Sequence, residues 1–427
     1  MNSKAKSKSR AEQGRPVLVP KLRFPEFSAT AGWEEKILGL HLVDCAGRVA
    51  SDTELPIYSS TRKGLKRQDA YFDGNVLLNN NDYGIVPAEC FVYRHMSDDG
   101  LFKFNINRTG GDIAVSKEYP VFRTKGLNSH FLLAQLNDGL DFKRFAYSQK
   151  AGGTRTRLYF SRLCEWQTSL PSTAEQQKIA ACFSSLDELI AAQACKVDAL
   201  KTHKNGLMQE LFPLEGETQP RLRFPEFKAT AGWEVKKLED LAQRGSGHTP
   251  SKGNPEYYGG GVKWISLADS KRLDAGLIST TEIEISAQGI KKSSAVLHAA
   301  GTVLISRDAG VGKSAVMAVP MAVSQHFIVW ICHAHLLSNW FLYYLLQKMK
   351  PIFERIASGS TIKTIGLPFF KALHIAIPTL PEQQRIASCL ISLDDHITAA
   401  TQELDALKTH KKGLMQQLFP PEEALEA

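Results

Sequence analysis

Cysteine is scarce, with seven in 427 residues, at Cys45, Cys90, Cys164, Cys182, Cys195, Cys332 and Cys389. The number is odd, the spacing wide, and no CxxC pair occurs. A disulfide framework and the common zinc modules are therefore not expected, and a reducing cytoplasmic setting fits. Charge-free runs of membrane length are wanting too. Residues 315–347 carry no charge, but Pro320, Ser324, Gln325, His326, His333, His335, Ser338 and Asn339 interrupt them. Hydrocarbon does not tolerate so many unpartnered polar groups, so the stretch reads as a buried strand followed by a buried helix. The opening twenty residues hold Lys4, Lys6, Lys8 and Arg10 but no apolar core of signal-peptide length. Residues 1–19 read as a basic flexible tail and 421–427 as an acidic one.

Catalytic signatures are missing as well. A base-modifying methyltransferase needs a glycine-rich cofactor loop and an Asn/Asp-Pro-Pro-aromatic segment, and the nearest stretch, NNNDYGIVP, lacks the paired prolines. GVGKS (310–314) resembles part of a phosphate loop, but the first glycine of that pattern falls on Arg307. Glu226 and Lys228 hint at a nuclease E-x-K, yet the first copy of the same block has Ser28 in place of the lysine. His333 and His335 have no third ligand nearby in sequence and read as strand or core residues.

What is present is a repeat. PKLRFPEFSATAGW (20–33) returns as PRLRFPEFKATAGW (220–233), 12 of 14 positions identical at an offset of 200. DALKTHKNGLMQELFP (198–213) returns as DALKTHKKGLMQQLFP (405–420), 14 of 16 identical at an offset of 207. Between these blocks, 41–160 and 241–367 share little beyond NSHFLLAQL and SNWFLYYLL, both of which read as capped apolar helices. A fixed frame with divergent inserts suits two readers of different targets better than a duplicated enzyme.

Each half ends in a long helix. Ser172 with Glu175, and Thr379 with Glu382, have capping-box spacing. Behind them Phe183, Leu186, Ile190, Val197, Leu200 and Leu207 recur at 4,3 spacing, and Leu390, Leu393, Ile397, Leu404, Leu407 and Leu414 repeat it. Both series are coiled-coil seams. A helix of about 38 residues spans roughly 57 Å, too long to pack inside one small domain. Gly206 and Gly413 cost each helix about 1 kcal/mol. Two globular ends on a stiff rod suit one long partner, and the duplex repeat of roughly 34 Å is the natural match.

The balance of 52 Lys+Arg against 44 Asp+Glu, a net +8, leans the same way. Arg62, Lys63, Lys66 and Arg67 cluster beside small hydroxyl residues, and Asn79, Asn80 and Asn81 follow. Their chemistry suits phosphates and base edges, while a solvated loop and a turn are the plainer alternatives. GGTRTR (152–157) and GSTIKT (359–364) occupy equivalent places before the two long helices. Thr154, Arg155, Arg157, Ser360, Thr361 and Lys363 there suit close approach to a phosphate, with Arg307 and Lys313 as further candidates.

Nearly the whole chain resembles the specificity subunits of type I restriction-modification systems. KLRFPEF and RLRFPEF, each followed by GW, are similar to the family's domain openings. PSTAEQQKIA and PTLPEQQRIA resemble its P-x-x-E-Q-x-x-I-A lead into the conserved helix, and LKTHKNGLMQELFP and LKTHKKGLMQQLFP resemble its L-K-x-x-K-x-G-L-x-Q-x-L-F ending. The resemblance implies an α+β protein: two globular target-recognition domains separated by two long antiparallel coiled-coil helices with pseudo-two-fold symmetry. They would occupy residues 20–170 and 214–378, with spacer helices at 171–213 and 379–420. It also implies that each domain reads one half of an asymmetric site in double-stranded DNA, with no catalytic residue, metal or cofactor in this chain. Two modification subunits would carry S-adenosylmethionine and methylate adenine, and restriction subunits would use ATP and magnesium. A stand-alone enzyme with an unrecognised site, or a coiled-coil adaptor that touches only protein, are the rival expectations.

Overall fold

The computed structural model describes residues 18–71, 82–150, 155–359 and 363–420. Contacts divide the chain between Ala194 and Cys195 and again between Thr401 and Gln402. The first unit is thus discontinuous in sequence, while the second is a single stretch. The tails assigned to 1–19 and 421–427 lie outside the described residues except for Leu18 and Val19, and Leu18 is buried and bridged to Trp33.

In the first unit, among the described residues, a four-stranded antiparallel sheet runs in the order Leu42–Asp44, Val121–Thr124, Phe91–Tyr93, Phe104–Ile106. A three-stranded sheet orders Ile113–Ser116, Tyr83–Val86, Gly47–Val49. Phe91, Tyr93, Phe104 and Phe122 stack between the first sheet and the helices Ser129–Asp138 and Leu140–Ser148. The second unit has a five-stranded sheet, Ala242–Ser246, Phe327–Cys332, Val303–Ser306, Ser314–Met317, Leu277–Ile278. Beside it a four-stranded sheet orders Ile283–Ile285, Tyr258–Ile265, Met321–Val323, Leu297–His298. The charge-free stretch therefore folds as three strands before the helix Asn339–Lys348, not as one. Pro320 cannot donate to a ladder, and Gln325 and His326 form a turn, so the apolar run is cut twice. No helix among the described residues is long and apolar enough to cross a membrane. Both expected apolar helices carry side-chain caps: Asn128 accepts from His130 N and Phe131 N, and Ser338 from Phe341 N.

The repeated blocks lock each unit in the same way. Glu34–Ile37 pairs antiparallel with Gln167–Leu170, and Glu234–Lys237 with His374–Ile377, so the opening strand meets the strand just before each long helix. Only half of the expected capping box forms. Glu175 N donates to Ser172 Oγ at 3.3 Å, but the Glu175 carboxylate accepts from Arg23 Nε (2.9 Å), Arg23 Nη2 (2.5 Å) and Trp33 Nε1 (3.3 Å). Glu382 repeats the arrangement with Arg223 Nε (2.9 Å), Arg223 Nη2 (2.6 Å) and Trp233 Nε1 (3.3 Å). A carboxylate only 1% exposed needs a cation, which a helix-end amide does not supply. The arginine of RFPEF, the tryptophan of GW and the glutamate of EQQ, scattered in sequence, are one buried cluster.

The long helices run Thr173–Leu211 and Leu380–Leu418, 39 residues each. Every seam residue named from the spacing is buried or half-buried, while neighbours such as Asp198, Asp405 and Lys408 are exposed. In the first unit Lys411 pairs with Asp187 (2.8 Å) and Gln193 donates to Glu403 (2.8 Å), so one helix ascends as the other descends. In the second unit Lys204 pairs with Asp394 (2.6 Å), and Met208 and Leu211 share a core with Leu390 and Ile386. The segments are antiparallel within each unit. Phe419 packs edge-on to Trp33 at 5.7 Å, and Phe212 to Trp233 at 6.3 Å, so each helix end plugs a core.

Candidate nucleic-acid interface

In the first unit the hairpin Tyr58–Thr61/Gly64–Arg67 turns through Gly64 at φ +104°, a backbone that side-chain-bearing residues rarely adopt. Thr61 Oγ1 donates to Gly64 O (2.8 Å) and accepts from Lys63 N (3.1 Å), which fixes the tip carrying Arg62 and Lys63. Asn105 Nδ2, on the neighbouring sheet, donates to Ser60 Oγ at 2.8 Å and anchors the hairpin. Strand alternation then puts Lys66 and Arg67 on opposite faces. Lys66 lines a cleft of about 730 Å³ together with Arg62, Lys63, Arg94, Lys103, Asp98 and Asp99. Arg67 turns away to Asp69 (2.9 Å).

The second cluster, far along the chain, arrives at the same place. Thr156–Arg157 pairs with Met96–Ser97, and Arg155 Nε donates to Asp98 Oδ1 at 2.8 Å. Arg62 Nη2 meets Asp99 Oδ1 at 2.5 Å. Ser97 Oγ (2.8 Å) and Leu101 N (3.1 Å) donate to the same oxygen. Arg62 first, with these two donors behind it, holds the Asp99 carboxyl well below the usual carboxylate range. Burial lowers the Lys103 ammonium. Five basic side chains against two acidic ones leave the cleft positive.

The second unit builds its surface from a different sequence. The link between Val303–Ser306 and Ser314–Met317 is a hairpin turn, whereas a phosphate loop must lead into a helix. Ala309 (φ +36°) and Gly312 (φ +83°) fold it tightly, and a Cβ on Gly312 would lie 2.9 Å from Lys350 Cγ. Lys313, Lys350 and Lys363 line a cleft of about 520 Å³ here, with Glu354 as its carboxylate. Lys313 also pairs with Asp274 (2.9 Å) and donates to Ser270 O (3.0 Å). Arg307 is turned to Asp308 at 3.5 Å and does not line the cleft. Asp308 in turn accepts from Thr364 Oγ1 (2.6 Å) and contacts His326 Nδ1 (2.5 Å). The carboxylate stands between hydroxyl and imidazole, the reverse of the order that activates a nucleophile.

The structure thus brings together Arg62, Lys63 and Lys66 in one unit and Lys313 and Lys363 in the other; Arg155 joins the first group only through Asp98, and Arg157 lies beside it on the strand paired with Met96–Ser97 without lining the cleft. Asn79, Asn80, Asn81, Thr154, Ser360 and Thr361 lie outside the described residues. Sequence reasoning missed Arg94, Lys103, Lys350, Asp98 and Asp99. Arg94 had a signal, since FVYR and LISR place an arginine directly after a buried strand in both halves.

The chain matches the family model described as the type I restriction modification DNA specificity domain over residues 60–202 and 230–409. It is 32% identical over 180 residues to the type I restriction enzyme MjaIX specificity subunit of Methanocaldococcus jannaschii, covering 40% of this chain and 41% of that protein. It is 23% identical over 348 residues to the same organism's putative MjaX specificity subunit, covering 77% and 79%. The fold matches a crystal structure of a type I restriction-modification S subunit from M. genitalium with a TM-score of 0.59 at 13% identity, covering 94% and 99%. The family match takes in both halves of the repeat, most of each cleft and most of both long helices, and by it this chain belongs to the type I restriction-modification DNA specificity family.

Proposed function

We propose that the chain is the DNA-reading specificity subunit of a type I restriction-modification complex. Each unit reads one half of a split, asymmetric site in double-stranded DNA. The chain carries no chemistry of its own and directs adenine methylation or cleavage by partners. Two modification subunits dock on the paired long helices and hold S-adenosylmethionine, while restriction subunits use ATP and magnesium. The observation that carries this reading is the pair of basic clefts. Each is assembled from separated segments of a divergent insert, while the frame beneath is nearly identical in the two halves.

In that reading Arg62, Lys63, Lys66, Arg155 and Arg157 in one unit, and Lys313, Lys350 and Lys363 in the other, contact the duplex. Arginine suits bidentate contact with guanine or phosphate, and lysine acts as a mobile point charge. Asn79, Asn80, Asn81, Thr154, Ser360 and Thr361 remain proposed contacts on chemistry alone, and Arg67 and Arg307 need a side-chain turn to join them.

Sequencing of methylated adenines in the host tests the reading. A two-part motif should vanish when this chain is deleted. Replacing residues 41–160 with the insert of another such subunit should change one half of the motif and spare the other. Unchanged methylation in the deletion strain, with active modification subunits present, would sink the proposal.

A further inference from the structure

We propose that Asp98 and Asp99 form an internal gate on the first unit's reading surface, holding Arg155 and Arg62 in ion pairs that DNA phosphates must displace. The inference rests on the DNA reading above and adds to it a means of discouraging sequence-independent binding. Arg62 sits at a hairpin tip and Arg155 directly precedes the strand Thr156–Arg157, yet two adjacent carboxylates capture both, at 2.5 Å and 2.8 Å. The four side chains are 61%, 46%, 53% and 74% exposed for Arg62, Asp99, Arg155 and Asp98, and ion pairs so open add little to stability. Fold maintenance therefore does not account for them. Nor is Asp99 free to swing aside, because Ser97 Oγ and Leu101 N hold the same oxygen that meets Arg62.

Two anions, Asp99 held in place by its own neighbours and Asp98 paired to Arg155, oppose a polyanion twice. An arriving phosphate must break the existing pair, and it then lies beside a displaced carboxylate. Non-specific binding consists almost wholly of phosphate contacts and bears that cost without return. A correct site offsets it through base contacts, so the gate widens the gap between right and wrong sequences. The second unit has reached a similar arrangement with unrelated residues. There Lys313, which lines the second cleft, is held by Asp274 at 2.9 Å and by the carbonyl of Ser270 at 3.0 Å.

The test compares the full chain with Asp98→Asn/Asp99→Asn and with Asp52→Asn/Asp112→Asn. The second pair makes the same charge change at exposed aspartates of the same insert. Binding to a short random-sequence duplex is read by fluorescence anisotropy across a salt series. Freeing two guanidiniums should tighten binding on the order of tenfold and steepen the salt dependence. The control pair should move affinity less than about threefold, since screening weakens distant charges. Equal gains in the two double variants, no gain, or weaker binding by the gate variant overturns the gate while leaving wild-type binding as evidence for the reading. Absence of binding by all three chains instead overturns the DNA reading, and the gate with it. Melting temperatures of the variants, expected to match the wild type, confirm that the fold is intact.

Discussion

Arg23 and Glu175 show side-chain exposures of 7% and 2% and are joined by two hydrogen bonds, with the Trp33 indole as a third donor. Removing Glu175 takes the anion from a part-buried Arg23 and leaves it only its Thr30 and Ala31 acceptors, which costs about 3 kcal/mol. Glu175→Ala should lower stability by that amount in chemical denaturation. A loss under about 1 kcal/mol would place the pair with ordinary surface bridges. His95 and His298 bring a different sensitivity. Burial pushes both imidazoles below their ordinary value, so the fold favours their neutral form. The unfolded chain, titrating near about 6.5, then takes up protons first as pH falls. Their contribution is complete above that value and is lost progressively below it. Melting temperatures recorded from neutral pH downward should fall through this window, and His298→Gln should flatten the decline. A profile unaltered by the substitution would refute the assignment.

At the scale of elements, Gly206 and Gly413 lie inside the long helices, and a Cβ built on either meets no atom within 4 Å. Alanine there should stabilise the chain by about 0.5–1 kcal/mol through reduced freedom of the unfolded backbone. Thermal unfolding of Gly206→Ala checks this, and destabilisation would contradict it. The helices were the most legible part of the sequence, because 4,3 spacing sustained from Phe183 to Leu207 is a long signal and the repeat states it again from Leu390 to Leu414. The strands of the inserts were not. Segments of two to four residues such as Met96–Ser97 or Phe91–Tyr93 show too little alternation to declare themselves. Register hides still more. Arg62 and Arg155 were each picked out for charge, but nothing local says that the adjacent Asp99 and Asp98 pair with them. Glu175 misled for a related reason: a spacing of three from Ser172 fits a local cap, whereas burial gave its carboxylate to a residue 152 positions away.

For the whole molecule, the repeat is a frame with two sockets, each filled by a helix end. Phe419 lies against Trp33 and Phe131, with Met415 and Leu418 in the same core, so the first unit depends on residues from the far end of the sequence. Phe419→Ala should cost about 3–5 kcal/mol. That loss should fall on the first unit alone, and hydrogen exchange resolved by segment should show faster exchange around Phe131 with Phe341 unchanged. Uniform acceleration across both would mean that the units unfold together. The division between Ala194 and Cys195, and between Thr401 and Gln402, also sets an order of events during synthesis. Everything the second unit contains has been translated once Thr401 is added, whereas the first unit, begun earlier, still waits for Met415, Leu418 and Phe419. The half encoded second is complete first, and the half encoded first must hold an unplugged aromatic core open until Phe419 has been made.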